Sequence, residues 1–130
     1  WRNDKRMEFS VLKTISAFLN SSGGKLVIGV ADNGELVGIE EDNFESEDKM
    51  YLHFINLINH YIGSEYMIYI QISFDDYKFG RVLIVECLKS KSPVYLSNDN
   101  QEKFFIRTGA STNELKGTQM QNYINDRFKL

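Results

Sequence analysis

A short polar segment at residues 20–25 combines amide, hydroxyl and ammonium groups with two glycines, a composition able to bind phosphate. Its candidate site residues are Asn20, Ser21, Ser22, Gly23, Gly24 and Lys25. A Walker-type phosphate loop reads G-x-x-x-x-G-K-[ST] and lies between a strand and a following helix. Here a predicted helix precedes the glycines and a predicted strand follows them, so the pair is typical of a helix C-cap. Phosphate binding by this loop is the alternative.

Asp32 opens the tripeptide Asp-Asn-Gly directly after a predicted strand. Asp and Asn favour tight turns because their side chains hydrogen bond to the nearby backbone, so a hairpin turn is the favoured interpretation. The alternative makes Asp32 a catalytic general base or a ligand for Mg²⁺ or Mn²⁺. That role needs at least one partner carboxylate nearby, and the sequence alone does not identify one.

A second polar segment, "FFIRTGASTNEL" at residues 104–115, joins a predicted strand to a glycine turn rich in hydroxyl and amide groups. Its candidate anion-binding residues are Arg107, Thr108, Gly109, Ser111, Thr112 and Asn113. A guanidinium group, hydroxyls and turn amides together can form a concave anion site. An ordinary turn with side-chain caps is the alternative, and both interpretations stay open.

The histidines, the cysteine and several aromatic residues are predicted to have structural roles and not catalytic or metal-binding ones. His53 and His60 lie seven residues apart without an H-E-x-x-H pattern, and no Cys/His cluster has metal-ligand spacing. Cys87 lies in the apolar run "VLIVECL" and is predicted to be a buried small side chain. The aromatic residues Tyr61, Tyr69 and Phe105 are assigned to packing, although aromatic rings can also stack on bases.

The size and charge of the chain narrow the functional classes. Its 130 residues, 42% of them hydrophobic, suffice for one core and predict a single domain. The net charge of −3 argues against a strong general DNA-binding protein. Residues 1–76 carry six basic and thirteen acidic side chains, whereas residues 77–130 carry nine basic and five acidic ones. A local basic face built by the second half therefore remains open.

The apolar runs are too short for a membrane span, and the N-terminal residues do not resemble a signal peptide. We therefore expect a cytoplasmic protein that has no membrane partner.

The first half is predicted to contain a helix over residues 5–21, because its apolar residues recur with helical spacing. The run "KLVIGVA" at 25–31 predicts a strand buried on both faces. The Asn-Gly pair at 33–34 predicts a tight turn, followed by a strand that runs antiparallel to the first. A second helix is predicted from a Ser46 cap to Gly63. Alternation beginning at Met67 then predicts a strand with Ile68 on its apolar face.

The second half is predicted to continue with a hairpin at residues 75–80 and strands near 81–88, 93–96 and 103–107. A last helix is expected over 118–128. This order indicates an α+β domain in which a mixed or mostly antiparallel sheet packs with about three helices.

Two segments together resemble the Schlafen AlbA-like domain. "LKTISAFLNSSGGKLVIGVADNGELVGIE" is similar to the family pattern of a helix ending S/C-A-F-x-N-x-x-G-G, a strand ending I-G-V-x-D-x-G and a hairpin reaching V-G. "EKFFIRTGASTNEL" is similar to the second family signature, F-Y-x-R-x-G-x-S-T followed by Leu. The resemblance covers essentially all of residues 1–130. It implies an α+β fold, a nucleic-acid-binding role and a bacterial protein that often continues into further domains.

The resemblance also bears on catalysis, because animal Schlafen proteins are RNA endonucleases that use three carboxylates. Asp32 matches the carboxylate that follows the I-G-V strand. The other two come from an E-F-K strand, which Glu8 does not match because its spacing places it inside the first helix. The family's first strand is therefore expected upstream of Trp1, together with two of the three acids.

Three functional hypotheses follow. The first is a DNA- or RNA-binding module, of the transcription-regulator kind, that uses residues 20–25 and 107–113. The second is a metal-dependent nuclease in which Asp32 and upstream carboxylates bind Mg²⁺ or Mn²⁺. The third is a protein interaction or oligomerisation domain, and a homodimer is kept open.

Overall fold

The computed structural model describes residues 5–29, 47–78 and 80–129. The helices are α1 (Lys5–Asn20), α2 (Glu47–Ile58) and α3 (Gly117–Arg127), with a π-helical turn (Asn59–Gly63) and a 3₁₀ helix (Ser64–Tyr69) after α2. The strands are β1 (Gly24–Gly29), β2 (Ile70–Tyr77), β3 (Gly80–Cys87), β4 (Leu96–Asn98), β5 (Gln101–Thr108) and β6 (Ser111–Leu115). The predicted α+β class and the first and last helices are confirmed.

Two antiparallel sheets contain these strands. One has the order β1-β3-β2 and the other the order β4-β5-β6. The predicted hairpin at residues 75–80 joins β2 to β3, and its register pairs Ile72 with Val85. Both sheets contact α1, which therefore holds them together.

Helix α1 forms because its apolar residues recur every three or four positions along one side. Val11, Leu12, Ile15 and Leu19 are all buried in the main core, together with residues of α2 and of both sheets. Glu8 lies on this helix, as predicted, and not on a strand.

Strand β5 separates two apolar layers because successive side chains point to opposite faces of a sheet. Phe105 belongs to the main core beneath α1. Phe104 and Ile106 instead pack with Phe128, at the end of α3. The second sheet thus lies between α1 and α3, and this arrangement brings α3 close to the end of α1.

Three local predictions are wrong. The strand predicted over 25–31 is not buried on both faces, because Val27 of β1 is 51% exposed. Ile68 lies on the 3₁₀ helix and is 78% exposed, since the strand begins only at Ile70. Ser111, Thr112 and Asn113, predicted to lie in the glycine turn, instead belong to β6, which pairs with β5.

Asp32, the Asn-Gly turn at 33–34, the predicted return strand after it and the Ser46 cap lie outside the described residues. Within the described part of the chain, no helix combines the length and apolar character needed to cross a membrane.

Candidate nucleic-acid interface

Helix α1 ends in a glycine-capped turn, as the sequence predicts. Gly23 has φ +80°, and its N–H donates to the carbonyl of Phe18 at 2.9 Å. A side chain is excluded at this position, because a Cβ would lie 2.5 Å from the carbonyl oxygen of Cys87. The turn is therefore pressed directly against the end of β3.

The last carbonyl groups of α1 are bound by residues far away in the sequence. Arg127 of α3 donates to the carbonyls of Leu19 at 3.3 Å, Ser21 at 3.1 Å and Ser90 at 2.9 Å. The hydroxyl of Tyr123 donates to the carbonyl of Asn20 at 2.6 Å. A cation at a helix C-terminus also interacts favourably with the helix dipole. Helix α3 thus fixes the end of α1.

Asn20 links this helix end to the second sheet. Its side-chain amide donates to the carbonyls of Val94 at 2.8 Å and Phe105 at 2.9 Å, and its Oδ1 accepts from the Val94 N–H at 2.8 Å. The residue is fully buried. Its polar atoms are engaged by backbone, so the side chain holds the two halves of the candidate site together.

Arg107 lies beside this turn, so the structure brings together the two segments that the sequence analysis singled out. Its backbone N–H donates to the hydroxyl of Ser21 at 2.8 Å. Its guanidinium group lies over the Phe18 ring, 5.4 Å from the centroid, and donates to the Thr112 hydroxyl at 2.8 Å. The side chain is nevertheless half-buried and not enclosed. The cation is therefore held in one orientation at the surface.

The rest of the 107–113 segment forms the hairpin next to Arg107. Thr108 pairs with Ser111 across the turn, and Asn113 donates to the hydroxyl of Thr108. Thr108, Gly109, Ser111 and Asn113 are all exposed. Hydroxyl and amide groups therefore line the surface beside the guanidinium group.

Other basic residues surround the same helix end. Lys25 follows the glycine turn, and Lys89 and Lys91 flank Ser90, whose N–H donates to the Leu19 carbonyl at 2.8 Å. We call Lys25, Lys89, Lys91, Arg107 and Arg127 the cationic surface. Lys89, Lys91 and Arg127 were not among the site residues predicted from the sequence. The excess of basic residues over residues 77–130 indicated a basic surface, but it did not show which side chains lie together.

Arg81, Arg107 and Arg127 differ in what their guanidinium groups bind. Arg81 donates to the carboxylates of Glu47 and Asp76, and these hydrogen bonds raise the pKa of its guanidinium group. Arg127 binds backbone carbonyls. Among the described residues, Arg107 has no carboxylate partner, and its guanidinium group donates from one nitrogen only. A guanidinium group carries five N–H donors, so most of those of Arg107 remain available to an anion.

The catalytic candidates give a different result. Asp32 lies outside the described residues, and the described part contains no group of three His, Cys, Asp or Glu side chains able to hold a metal ion. The described side chains therefore offer no three-ligand site for Mg²⁺ or Mn²⁺. His53 is hydrogen bonded to Glu8, and Cys87 is buried, which raises the pKa of its thiol to about 12.

Comparisons with known proteins agree with the fold. A crystal structure of the DIP2311 protein from Corynebacterium diphtheriae superposes on the whole chain with a TM-score of 0.62 at 14% identity, although the chain covers only 24% of that protein. An uncharacterized ATP-binding protein, UU034 of Ureaplasma parvum serovar 3, is 28% identical over 134 residues. That match covers 90% of the chain but 38% of the relative, so the chain spans well under half of either protein's length.

The family model described as Schlafen, AlbA_2 matches residues 1–116, which include both signature segments and every strand described above. Because this match covers most of the sequence, the chain belongs to the Schlafen, AlbA_2 family.

Proposed function

We propose that this domain binds nucleic acid by holding backbone phosphates against the cationic surface at the end of α1. Membership of the Schlafen, AlbA_2 family supports a nucleic-acid-related role at the level of the family. The chain as a whole is acidic, with a net charge of −3. Binding therefore depends on the local concentration of five basic residues around one helix end.

The observation that carries the proposal is the state of Arg107. Packing on Phe18 and the hydrogen bond to Thr112 orient its guanidinium group, and no described carboxylate neutralises it. Since the side chain is already fixed, binding a phosphate costs little additional side-chain entropy. A guanidinium group can also engage a phosphate through two parallel N–H···O bonds.

The neighbouring groups suit the same ligand. The hydroxyls of Ser22, Thr108 and Ser111 and the amide of Asn113 are exposed and can donate to phosphate oxygens. Gly109 has no atom within 4 Å of the position that a Cβ would occupy, so a nucleic-acid backbone can approach the turn closely. The site is supported by the contacts described above for Asn20, Ser21 and Gly23, which fix the turn beneath the exposed groups.

The expected mode of recognition is contact with phosphate and sugar, with little reading of bases. The described groups at this surface are cations, hydroxyls and amides, which position a nucleic-acid backbone without identifying its sequence. A relative is described as ATP-binding, and a phosphate site of this kind would also accept the phosphates of a nucleotide.

The proposal is tested by titrating labelled duplex DNA, single-stranded RNA and structured RNA with the wild-type chain and with Arg107→Gln, at two or more salt concentrations. We expect Arg107→Gln to weaken binding about tenfold and to reduce the slope of log K against log salt by about 0.9 for each phosphate that the variant no longer neutralises. Unlabelled ATP, added as a competitor, measures how strongly isolated phosphates occupy the site.

Lys78→Gln is the matched control, because it removes the same charge from the exposed turn of the β2–β3 hairpin, at the opposite end of β3 from Cys87 and the glycine turn. Its affinity should equal that of the wild type. Equal losses in both variants would contradict the assigned site. No salt-dependent binding of any of the three nucleic acids would overturn the proposed function.

A further inference from the structure

A groove lies at the opposite end of α1 from the cationic surface. It contains two adjoining cavities of about 390 and 550 Å³, which share Tyr61, Asn98 and Asp99. The smaller cavity is bounded by the first turns of α1 and is within the usual range of ligand pockets, about 300–1,000 Å³. Glu8 and Asn20 are twelve residues apart on α1, so the groove and the cationic surface are separated by roughly 18 Å along the helix.

A buried carboxylate lines the smaller cavity. The side chain of Glu8 is only 11% exposed, and its Oε2 accepts a hydrogen bond from His53 Nε2 at 2.7 Å. Among the described residues, its second oxygen, Oε1, has no hydrogen-bond or ion-pair partner. Burying a carboxylate oxygen without a partner is unfavourable, so a ligand that donates to Oε1 would remove this cost.

The charges of the groove select a cation. Among the described residues that line it, three are acidic (Glu8, Asp99 and Glu102) and one, Lys5, carries an ammonium group. Phosphates are repelled by this balance, in contrast to the other end of α1. Asp99 lines both cavities, and its backbone position is fixed by the tight turn that it forms with Asn100 between β4 and β5. The φ values in this turn are 51° for Asp99 and 64° for Asn100.

The remaining walls favour a cation carried on an apolar stem. The half-buried rings of Phe9 and Tyr61 supply apolar surface, and Asn98 adds an amide group. A guanidinium group fits such a site better than an ammonium group, because it is planar, less strongly hydrated and able to donate to several oxygens at once. A bare metal ion is disfavoured, since the described residues contain no three-ligand group.

We propose that this groove is a binding site for a guanidinium group, with Glu8 Oε1 and Asp99 as its acceptors and the rings of Phe9 and Tyr61 covering its stem. An arginine side chain of a partner polypeptide and a free guanidino compound share this chemistry. The site is independent of the proposed nucleic-acid surface, and it involves none of the residues assigned there.

The test uses ¹⁵N-labelled wild-type chain titrated with three probes: agmatine, the capped peptide Gly-Arg-Gly and the same peptide with citrulline, the neutral isostere of arginine. We expect saturable shifts for the two cationic probes, confined to groove residues, and none for the citrulline peptide. Tighter binding of the arginine peptide than of agmatine would identify a polypeptide as the source of the cation. Equal binding would identify the free cation as sufficient.

Two variants locate the site. Glu8→Gln and Asp99→Asn should each weaken the arginine peptide about tenfold, as expected for losing a charged hydrogen-bond partner. Asp126→Asn, an exposed position on α3, removes the same charge elsewhere and should leave affinity unchanged. Asn tolerates the left-handed conformation at position 99, so we expect Asp99→Asn to fold. This variant therefore remains informative if Glu8→Gln perturbs folding. Equal shifts from the citrulline peptide, or unchanged affinity in Asp99→Asn, would overturn the proposal.

Discussion

The side chain of Asn20 and the backbone of Val94 form a reciprocal pair: the amide of Asn20 donates to the Val94 carbonyl and its Oδ1 accepts from the Val94 N–H, both at 2.8 Å. The two residues are 74 positions apart and fully buried. This pair attaches the end of α1 to the segment that leads into β4. Asn20 is one of the candidate phosphate-binding residues of the sequence, and its side-chain amide is engaged by the backbone of the protein itself.

Replacing Asn20 should destabilise the domain strongly. Asn20→Ala removes the partner of the buried Val94 N–H and of two carbonyls, and we expect a loss of about 3 kcal/mol in the free energy of unfolding. Urea denaturation followed by circular dichroism measures it. Asn113→Ala, at an exposed amide, should change the same quantity by less than about 0.5 kcal/mol. Similar losses of unfolding free energy in both variants would show that the buried hydrogen bonds of Asn20 do not stabilise the domain more than an exposed amide does.

Gly23 and Gly109 both have left-handed backbone conformations but differ in the space around them. Replacing each with alanine therefore separates the cost of backbone strain from the cost of a steric clash. Gly23→Ala should cost about 3 kcal/mol, because it combines backbone strain with a clash against the Cys87 carbonyl. Gly109→Ala has the same kind of strain, at φ +60°, but open space around it, and should cost about 1 kcal/mol. Thermal and chemical denaturation of the two variants provide the comparison, and a reversed order would contradict the close approach at Gly23.

Arg107 and Arg127 should separate binding from stability. Arg127→Gln loses charged hydrogen bonds to the carbonyls at the end of α1, so we expect a loss of about 2 kcal/mol in unfolding free energy. Arg107→Gln removes a cation that donates to a single hydroxyl, so its main effect should be on nucleic-acid affinity. Measuring stability and affinity for both variants tests the division, and a large stability loss in Arg107→Gln would make that residue structural.

The thiol of Cys87 should be unreactive in the folded chain. Burial raises its pKa to about 12 from an ordinary 9.0, so the reactive thiolate is scarce at neutral pH. Ellman's reagent at pH 8 should react only after unfolding. The unfolded thiol ionises first as the pH rises, so this residue's contribution to stability is complete below about pH 9 and is lost as the pH rises toward 12. Cys87→Ala should lack that part of the pH dependence, and rapid labelling of folded wild type would contradict the burial.

Local sequence patterns predicted the elements whose causes are local. The apolar spacing before Asn20 and the glycines after it predicted α1 and its end. Alternation beginning at Met67 predicted β2, although three residues too early, and the segment 75–80 predicted the hairpin to β3. The segment containing Ser111 was misassigned because its residues are polar, and strand formation there depends on pairing with β5. Ile68 was misassigned because a 3₁₀ turn and a strand end cannot be distinguished by alternation over two residues.

The sequence by itself determined the α+β class, the family resemblance and the residue types at residues 20–25 and 107–113. Only the tertiary structure decided their roles. It buried Asn20, left the guanidinium group of Arg107 at the surface and brought Lys89, Lys91 and Arg127 to the same helix end. Burial and charge clustering depend on contacts between residues distant in the chain, such as Leu19 with Arg127. Periodicity and spacing, which act over a few residues, contain no information about such contacts.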